Sequence, residues 1–125
     1  MREGPLTVLY VEDNVDNRIL VKRVLQAEGY SFLGAGDAMQ GIRLAHEHHP
    51  DVILVDINMP EIDGLTMTSH LKTDPVFLNT PVIAITANVM RGDRERTLSA
   101  GCDGYIQKPI DVDELANQIV RFLHL

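Results

Sequence analysis

Five short apolar runs, four of them followed by polar residues and each separated from the next by a helix-patterned stretch, restrict this chain to very few folds. Leu6-Thr7-Val8-Leu9-Tyr10-Val11 is rich in β-formers and stops at Glu12-Asp13-Asn14. Ser31-Phe32-Leu33-Gly34-Ala35 is a short second run. Val52-Ile53-Leu54-Val55 is a third, which stops at Asp56, and Pro81-Val82-Ile83-Ala84-Ile85 is a fourth, which stops at Thr86. Gly104-Tyr105-Ile106 is the fifth, with Lys108-Pro109 just beyond it. Runs without polar alternation read as strands covered on both faces, the situation of a parallel sheet.

The intervening stretches carry helical spacing. Asn14 or Asp16 can cap a first helix with Leu20, Val21, Val24 and Leu25 on its apolar side, ended by Gly29. Asp37 can cap a second, with Ala38, Ile42 and Ala45 on one face. It ends at His49-Pro50, because proline disfavours helix in the residue before it. Pro60 and Asp63-Gly64 mark a loop; a third helix with Leu65 and Leu71 then stops before Asp74-Pro75. Asn88 to Ala100 reads as a fourth helix with a weak apolar face, Met90 and Leu98, and many charges. Asp111 can cap a last helix with Leu115, Ile119, Val120 and Leu123 on one side. The pattern is (βα)₅, an α/β domain over residues 1–125. Its expected architecture is a five-stranded parallel sheet of order 2-1-3-4-5, flavodoxin-like, with helices on both faces.

Composition narrows the function. One domain of 125 residues, 45% apolar, buries a core without disulfides, and no apolar run approaches the ~20 residues of a bilayer span. No secretory signal is visible in MREGPL, and the single cysteine, Cys102, fits a reducing cytoplasm. A net charge of −7 argues against nucleic-acid binding by this chain, since it repels phosphate backbones. The chain stops at Leu125 directly after the last helix, so no output domain is expected here, and a free-standing regulator is favoured over a piece of a longer or hybrid protein.

The polar residues that end the strands all fall on one edge of a parallel sheet. Glu12 and Asp13 follow the first strand, Asp56 the third, Thr86 the fourth and Lys108 the fifth. Ligands in open α/β sheets bind at this carboxyl edge, where the strand order reverses, and the first and third strands flank that reversal. Glu12, Asp13 and Asp56 should therefore share a crevice. Three carboxylates at close range need a compensating cation. An all-oxygen set suits Mg²⁺ rather than zinc, and Lys108 adds a further positive charge. The same set suits phosphoryl transfer to an aspartate, with Lys108 and the Thr86 hydroxyl available to the phosphoryl oxygens.

Val11-Glu12-Asp13-Asn14, Val55-Asp56-Ile57-Asn58-Met59-Pro60 with Asp63-Gly64, Ile85-Thr86-Ala87 and Lys108-Pro109 together resemble the receiver domains of bacterial two-component response regulators, including the chemotaxis receiver. The resemblance runs from about Leu6 to Leu123. It implies that Asp56 is the phosphoacceptor, and that Asp13, Asp56 and the backbone carbonyl of Asn58 bind Mg²⁺, with Mn²⁺ able to substitute. Glu12 would contact the metal, often through water. Lys108 would pair with the phosphoryl group, and the Lys108-Pro109 bond would be cis. Thr86 and Tyr105 correspond to a switch pair, and small Ala87 would leave the phosphoryl group accessible. Asn58 and Asn88 occupy positions that tune phosphate lifetime. The resemblance also implies a sensor histidine kinase or histidine phosphotransfer protein as donor. A downstream protein would be read through the fourth helix, fifth strand and fifth helix, by a monomer or weak homodimer that is not a turnover enzyme.

Each residue also has a plainer reading. Asp13 or Asp56 alone would be a helix cap, Thr86 alone a hydroxyl bonded to backbone, Lys108 a solvated lysine and Tyr105 a half-buried strand aromatic. His46, His48 and His49 suit the negative end of the second helix and have no cysteine nearby to suggest zinc. Cys102 reads as a small buried residue, Met39 and Met67 as helix-face fillers. Arg91, Arg94 and Arg96 with Asp93 and Glu95 read as a solvated face. A haloacid-dehalogenase-type phosphohydrolase would need its Asp-x-Asp after the first strand, where this chain has Glu12-Asp13, and room for a cap. A flavin-binding module would need a Gly/Ser/Thr-rich loop there, where two acids would repel a phosphate. A pseudo-receiver would have lost Asp56, the metal acids or Lys108, all of which are present.

Overall fold

A computed structural model describes residues 5–57, 64–87 and 93–123 of the chain. Five parallel strands, β1 (Thr7–Val11), β2 (Ser31–Ala35), β3 (Val52–Asp56), β4 (Val82–Thr86) and β5 (Gly104–Gln107), form one sheet in the order β2-β1-β3-β4-β5. Between them lie α1 (Val15–Ala27), α2 (Ala38–His48), α3 (Gly64–Lys72) and α4 (Asp93–Ser99), and α5 (Leu115–Leu123) follows β5. The strand order reverses between β1 and β3, as the sequence pattern required.

Alternation along the strands splits the core into two layers. Val8, Tyr10, Val52, Leu54, Ile83 and Ile85 pack with Val21 and Leu25 of α1 and with Leu115 and Ile119 of α5. Leu9, Val11, Ile53, Val55, Val82 and Ala84 pack with Ala38 and Ala45 of α2 and with Met67 and Leu71 of α3. Both faces of the central strands are sealed from solvent, which explains why those segments carry no polar alternation.

Strands β3, β4 and β5 each run one residue past the apolar run that announced them. Asp56 and Thr86 are the last strand residues, not the first loop residues. The ladder holds their backbone whatever the side chain: Ile57 N–H donates to Ile85 O at 3.2 Å and Lys108 N–H to Thr86 O at 2.7 Å. Their side chains are thus carried on rigid strand ends.

Of the two candidate caps for α1, Asn14 does the capping; its Oδ1 accepts the Asn17 N–H at 2.9 Å. Asp37 caps α2 through the Gln40 N–H. Asp111 acts one turn ahead of α5, accepting the Asp113 N–H on its side chain and the Leu115 N–H on its carbonyl. Gly29 ends α1 at φ +91°, a left-handed conformation that side chains disfavour.

Leu98, expected on the apolar face of α4, is exposed (49%), and so are three residues expected on the faces of the other helices: Leu20 (45%), Val120 (40%) and Met39 (64%). Each of these three directly precedes or follows a residue that is buried, Val21, Ile119 and Ala38 respectively. A step of one residue turns a helix by about 100°, so only one of each such pair can face the sheet. Phe122 packs on the α5 side in place of Val120. The sequence pattern also misses a single 3₁₀ turn, Pro75–Phe77, capped by Asp74; it buries Phe77. Of the charged group expected around the start of α4, only the Glu95 side chain lies within the description, and it is exposed.

Candidate functional site

The acids expected to meet do so. One carboxylate oxygen from each of Glu12, Asp13 and Asp56 lies within 4.8 Å of the others. Among the described residues this is the one group of His, Cys, Asp and Glu side chains able to hold a metal ion. Glu12 and Asp56 are buried and Asp13 is open to solvent. β1 delivers Glu12 and Asp13 directly from its end, and Glu12 N–H remains tied to the sheet through Ala35 O at 2.9 Å. β3 delivers Asp56 from the neighbouring strand.

Lys108 reaches this cluster from the far side of β4. Its Nζ lies 2.9 Å from Asp56 Oδ2 and 3.5 Å from Glu12 Oε1. The Lys108–Pro109 peptide bond is cis. Burial alone would lower the lysine's affinity for its proton. The hydrogen bond and charge of Asp56, then the charge of Glu12, outweigh that and hold the ammonium above its usual range. Glu12 responds in the opposite sense to an ordinary ion pair. Burial, then its contact with Asp56, push its carboxyl up to about 7, against the pull of Asn17 and Lys108. Tyr10, beneath the cluster with a buried hydroxyl that makes no hydrogen bond, is held above the ordinary phenol range by burial and then by Glu12 and Asp56.

Two α1 residues that the sequence reading passed over also grip Glu12. Asn17 Nδ2 donates to Glu12 Oε1 at 2.8 Å, and an Arg18 guanidinium nitrogen donates to the Glu12 carbonyl. The signal was positional: a helix capped at Asn14 must bring residues of its first turn back over the strand end that precedes it. Gly64, expected in a loop, instead opens α3. A Cβ there would stand 2.6 Å from Asp56 O and 2.8 Å from Ile57 Cα, so only glycine lets α3 begin against the end of β3.

Thr86 is buried at the end of β4. Tyr105 is half-buried against the α2/α3 layer, in register with Ala84. Since Ala84 and Thr86 lie two apart on one strand, Thr86 and Tyr105 occupy the same face of the sheet, one step apart along it. Ala87 is exposed at the rim. Asn58 and Asn88 lie outside the described residues. His46 and His49 are elsewhere, at the opposite sheet edge: His46 meets the Phe77 ring edge-on at 5.0 Å, His49 stacks on it at 6.2 Å, and His46 Nδ1 is 3.9 Å from Asp74 Oδ2. Cys102 is buried, its thiol pushed up by burial, next to the Thr68 hydroxyl.

The set suits a hard divalent cation. Its donors are all oxygen, and Glu12 Oε2 is buried with no hydrogen-bond donor, a vacancy in its bonding that a cation or its water satisfies.

Comparison with known proteins agrees. Residues 8–120 match the family model described as response regulator receiver domain. The chain is similar to the polar-differentiation response regulator DivK of Brucella ovis, 43% identical over 117 residues, covering 94% of this chain and 95% of that protein. Its fold is similar to that of the chemotaxis protein CheY4 of Vibrio cholerae, with a TM-score of 0.92 at 25% identity over 95% of this chain and 99% of that one. It is also similar to the receiver domain of a sensor histidine kinase from Pseudomonas aeruginosa, solved with a magnesium ion coordinated in the active site cleft. There the TM-score is 0.88 at 33% identity, over 98% of this chain and all of the other.

Proposed function

The chain belongs to the response regulator receiver family of two-component systems, and on that premise we propose that Asp56 is its phosphoacceptor. The observation that carries this reading is the meeting of three strand-end carboxylates within 4.8 Å of one another, with the Lys108 ammonium 2.9 Å from Asp56. Glu12, Asp13 and Asp56, with the backbone carbonyl of Asn58 from outside the described residues, would hold Mg²⁺, and Mn²⁺ would substitute for it. When bound, the metal supplies positive charge against the phosphoryl oxygens.

The rest is the work of the chain. A carboxylate oxygen of Asp56 attacks the phosphorus of a phosphohistidine on a sensor kinase or phosphotransfer protein. The P–N bond breaks, a P–O bond forms, and the histidine nitrogen regains a proton from solvent. Lys108 gives up its bond to Asp56 Oδ2 in favour of a phosphoryl oxygen, and the Thr86 hydroxyl donates to another. Exposed Ala87 leaves room for the donor. An apolar groove lined by Leu20, Val21, Ala87, Pro109 and Ile110 opens beside Lys108 and offers the donor protein a seat. Domain activity is limited to its own phosphorylation and dephosphorylation, with Asn58 and Asn88 setting the lifetime.

Turning Thr86 toward the phosphate vacates space on the face it shares with Tyr105, whose ring then moves inward. The α4–β5–α5 surface, where Leu98 and Val120 are exposed, carries the change to a downstream partner. The setting is cytoplasmic and the protein a monomer or weak homodimer. Among the described residues no helix is long and apolar enough to cross a membrane.

Incubation with acetyl phosphate, with and without Mg²⁺, tests this. A Mg²⁺-dependent, hydroxylamine-labile adduct absent from Asp56→Asn is expected. An adduct that persists in Asp56→Asn would overturn the assignment, and unchanged amide exchange across α4 and β5 on phosphorylation would overturn the switch.

A further inference from the structure

Glu12 is held at both of its ends by the first turn of α1. Its carbonyl is bound by Arg18 and its Oε1 by the Asn17 amide at 2.8 Å. Asn17 is itself fixed, because its backbone N–H is the one that Asn14 caps. The consequence falls on the other carboxylate oxygen. With Oε1 occupied by Asn17, and by Lys108 at 3.5 Å, Oε2 is left buried and without any donor, on a residue that offers one carboxylate oxygen to the cluster with Asp13 and Asp56.

We propose that Asn17 is a positioning residue of the cation site, which fixes the Glu12 carboxylate so that Oε2 is the oxygen presented to the metal or its water. The inference rests on the metal-binding reading of the same cluster. Asn17 suits the task for a chemical reason. A neutral amide donor orients a carboxylate without cancelling its charge, whereas a second ammonium or guanidinium there would repel the incoming cation. Asn17 also limits Lys108. Without the amide, Glu12 Oε1 has one remaining partner, and Lys108 is drawn from Asp56 toward Glu12.

Mg²⁺ titration of the full chain, followed by amide chemical shifts, reads the effect directly. Partners of this kind are worth roughly 10–100-fold in metal affinity, so Asn17→Ala should weaken Mg²⁺ binding about tenfold or more. Asn17→Gln, which keeps the amide on a longer arm, should recover part of the loss. Asn17 is half-exposed in a helix and alanine is the better helix former, so the variant's thermal midpoint should not fall. Beryllofluoride binding at fixed Mg²⁺ should weaken in parallel. Asn17→Ala within twofold of wild type in Mg²⁺ affinity overturns the inference while leaving the phosphoacceptor reading intact. Equal weakening in the Ala and Gln variants overturns it too. A wild-type chain that binds no Mg²⁺ overturns both.

Discussion

Lys108 Nζ donates to Asp56 Oδ2 at 2.9 Å across 52 residues of sequence, and the same nitrogen stands 3.5 Å from Glu12. One cation thereby holds two buried carboxylates that would otherwise face each other. Lys108→Ala leaves both without it. Breaking a fully buried pair costs ~3–5 kcal/mol; here Lys108 keeps some access to solvent, so we expect about 1–3 kcal/mol in urea unfolding without metal. Saturating Mg²⁺ should restore most of this, because it replaces the missing charge. Mg²⁺ affinity should rise, while the yield of Asp56 adduct and its effect on the α4–β5–α5 surface should fall. A variant that binds Mg²⁺ more weakly than wild type would show that Lys108 supports the metal site instead of competing with it.

Glu12 sets a pH dependence. Burial and the adjacent Asp56 push its carboxyl up to about 7, above the ordinary glutamate range it has in the unfolded chain. The fold thus binds this proton more tightly than the unfolded chain does. The associated stability is complete below the ordinary glutamate range, declines as pH rises beyond it, and is gone above about 7. Metal-free protein should lose on the order of 1–3 kcal/mol across that window. Glu12→Gln should flatten the profile, and Mg²⁺ affinity should climb with pH as the proton stops competing. Denaturant midpoints at several pH values, with EDTA and with Mg²⁺, check each part. A stability that rises with pH in EDTA would contradict the raised carboxyl.

Much of this was legible in the residues. Polar groups at the ends of four parallel strands can only converge on one sheet edge, and this placed Glu12, Asp13, Asp56 and Lys108 together. The same logic does not reach Asn17, Arg18 or Gly64. Their roles depend on how a helix end folds back on a strand end, a matter of angles and contact distances that hydrophobic spacing does not encode. Leu20, Val120 and Met39 fail for a related reason. An apolar residue next to a buried one satisfies the pattern, yet the width of the buried stripe is set by how closely each helix sits on the sheet. Phe77 escaped notice because a three-residue turn has no period to read.

Gly64 gives a test of how tightly the site is built. A methyl group at this position meets backbone, Asp56 O at 2.6 Å and Ile57 Cα at 2.8 Å, and Val55 Cγ2 at 2.9 Å, none of which can swing aside. Gly64→Ala should therefore cost about 1–3 kcal/mol by overpacking, despite alanine's better helix propensity. Because the clash falls on the residue that carries the proposed nucleophile, Mg²⁺ affinity should drop as well. Thermal unfolding and the Mg²⁺ titration measure the two effects separately; a stabilised variant would mean that α3 is free to shift.

Lys72 supplies the contrasting case, a lysine whose ammonium works for stability at the other edge of the sheet. Its Nζ donates to Thr80 O at 2.8 Å, Phe77 O at 3.1 Å and Asp103 Oδ2 at 3.3 Å, and that same Asp103 oxygen accepts the Val82 N–H at 2.8 Å. The end of α3, the 3₁₀ turn and the starts of β4 and β5 are thus joined through one side chain, whose stem also lies against Gly101. Lys72→Met keeps the stem and removes the ammonium: part-buried Thr80 O loses the Lys72 donor, while Phe77 O keeps the Thr80 N–H and Asp103 Oδ2 the Val82 N–H. An unfilled hydrogen bond of this kind costs ~1–3 kcal/mol, which for a domain of this size lowers the thermal midpoint by several degrees. Val82 opens β4 and Thr86 closes it, so the loss falls at the strand's far end from the acidic cluster. Mg²⁺ affinity and adduct formation should consequently stay within about twofold of wild type, well under the 1.4 kcal/mol that a tenfold change requires. A Lys72→Met protein with normal stability but impaired phosphorylation would reverse the assignment of the two lysines.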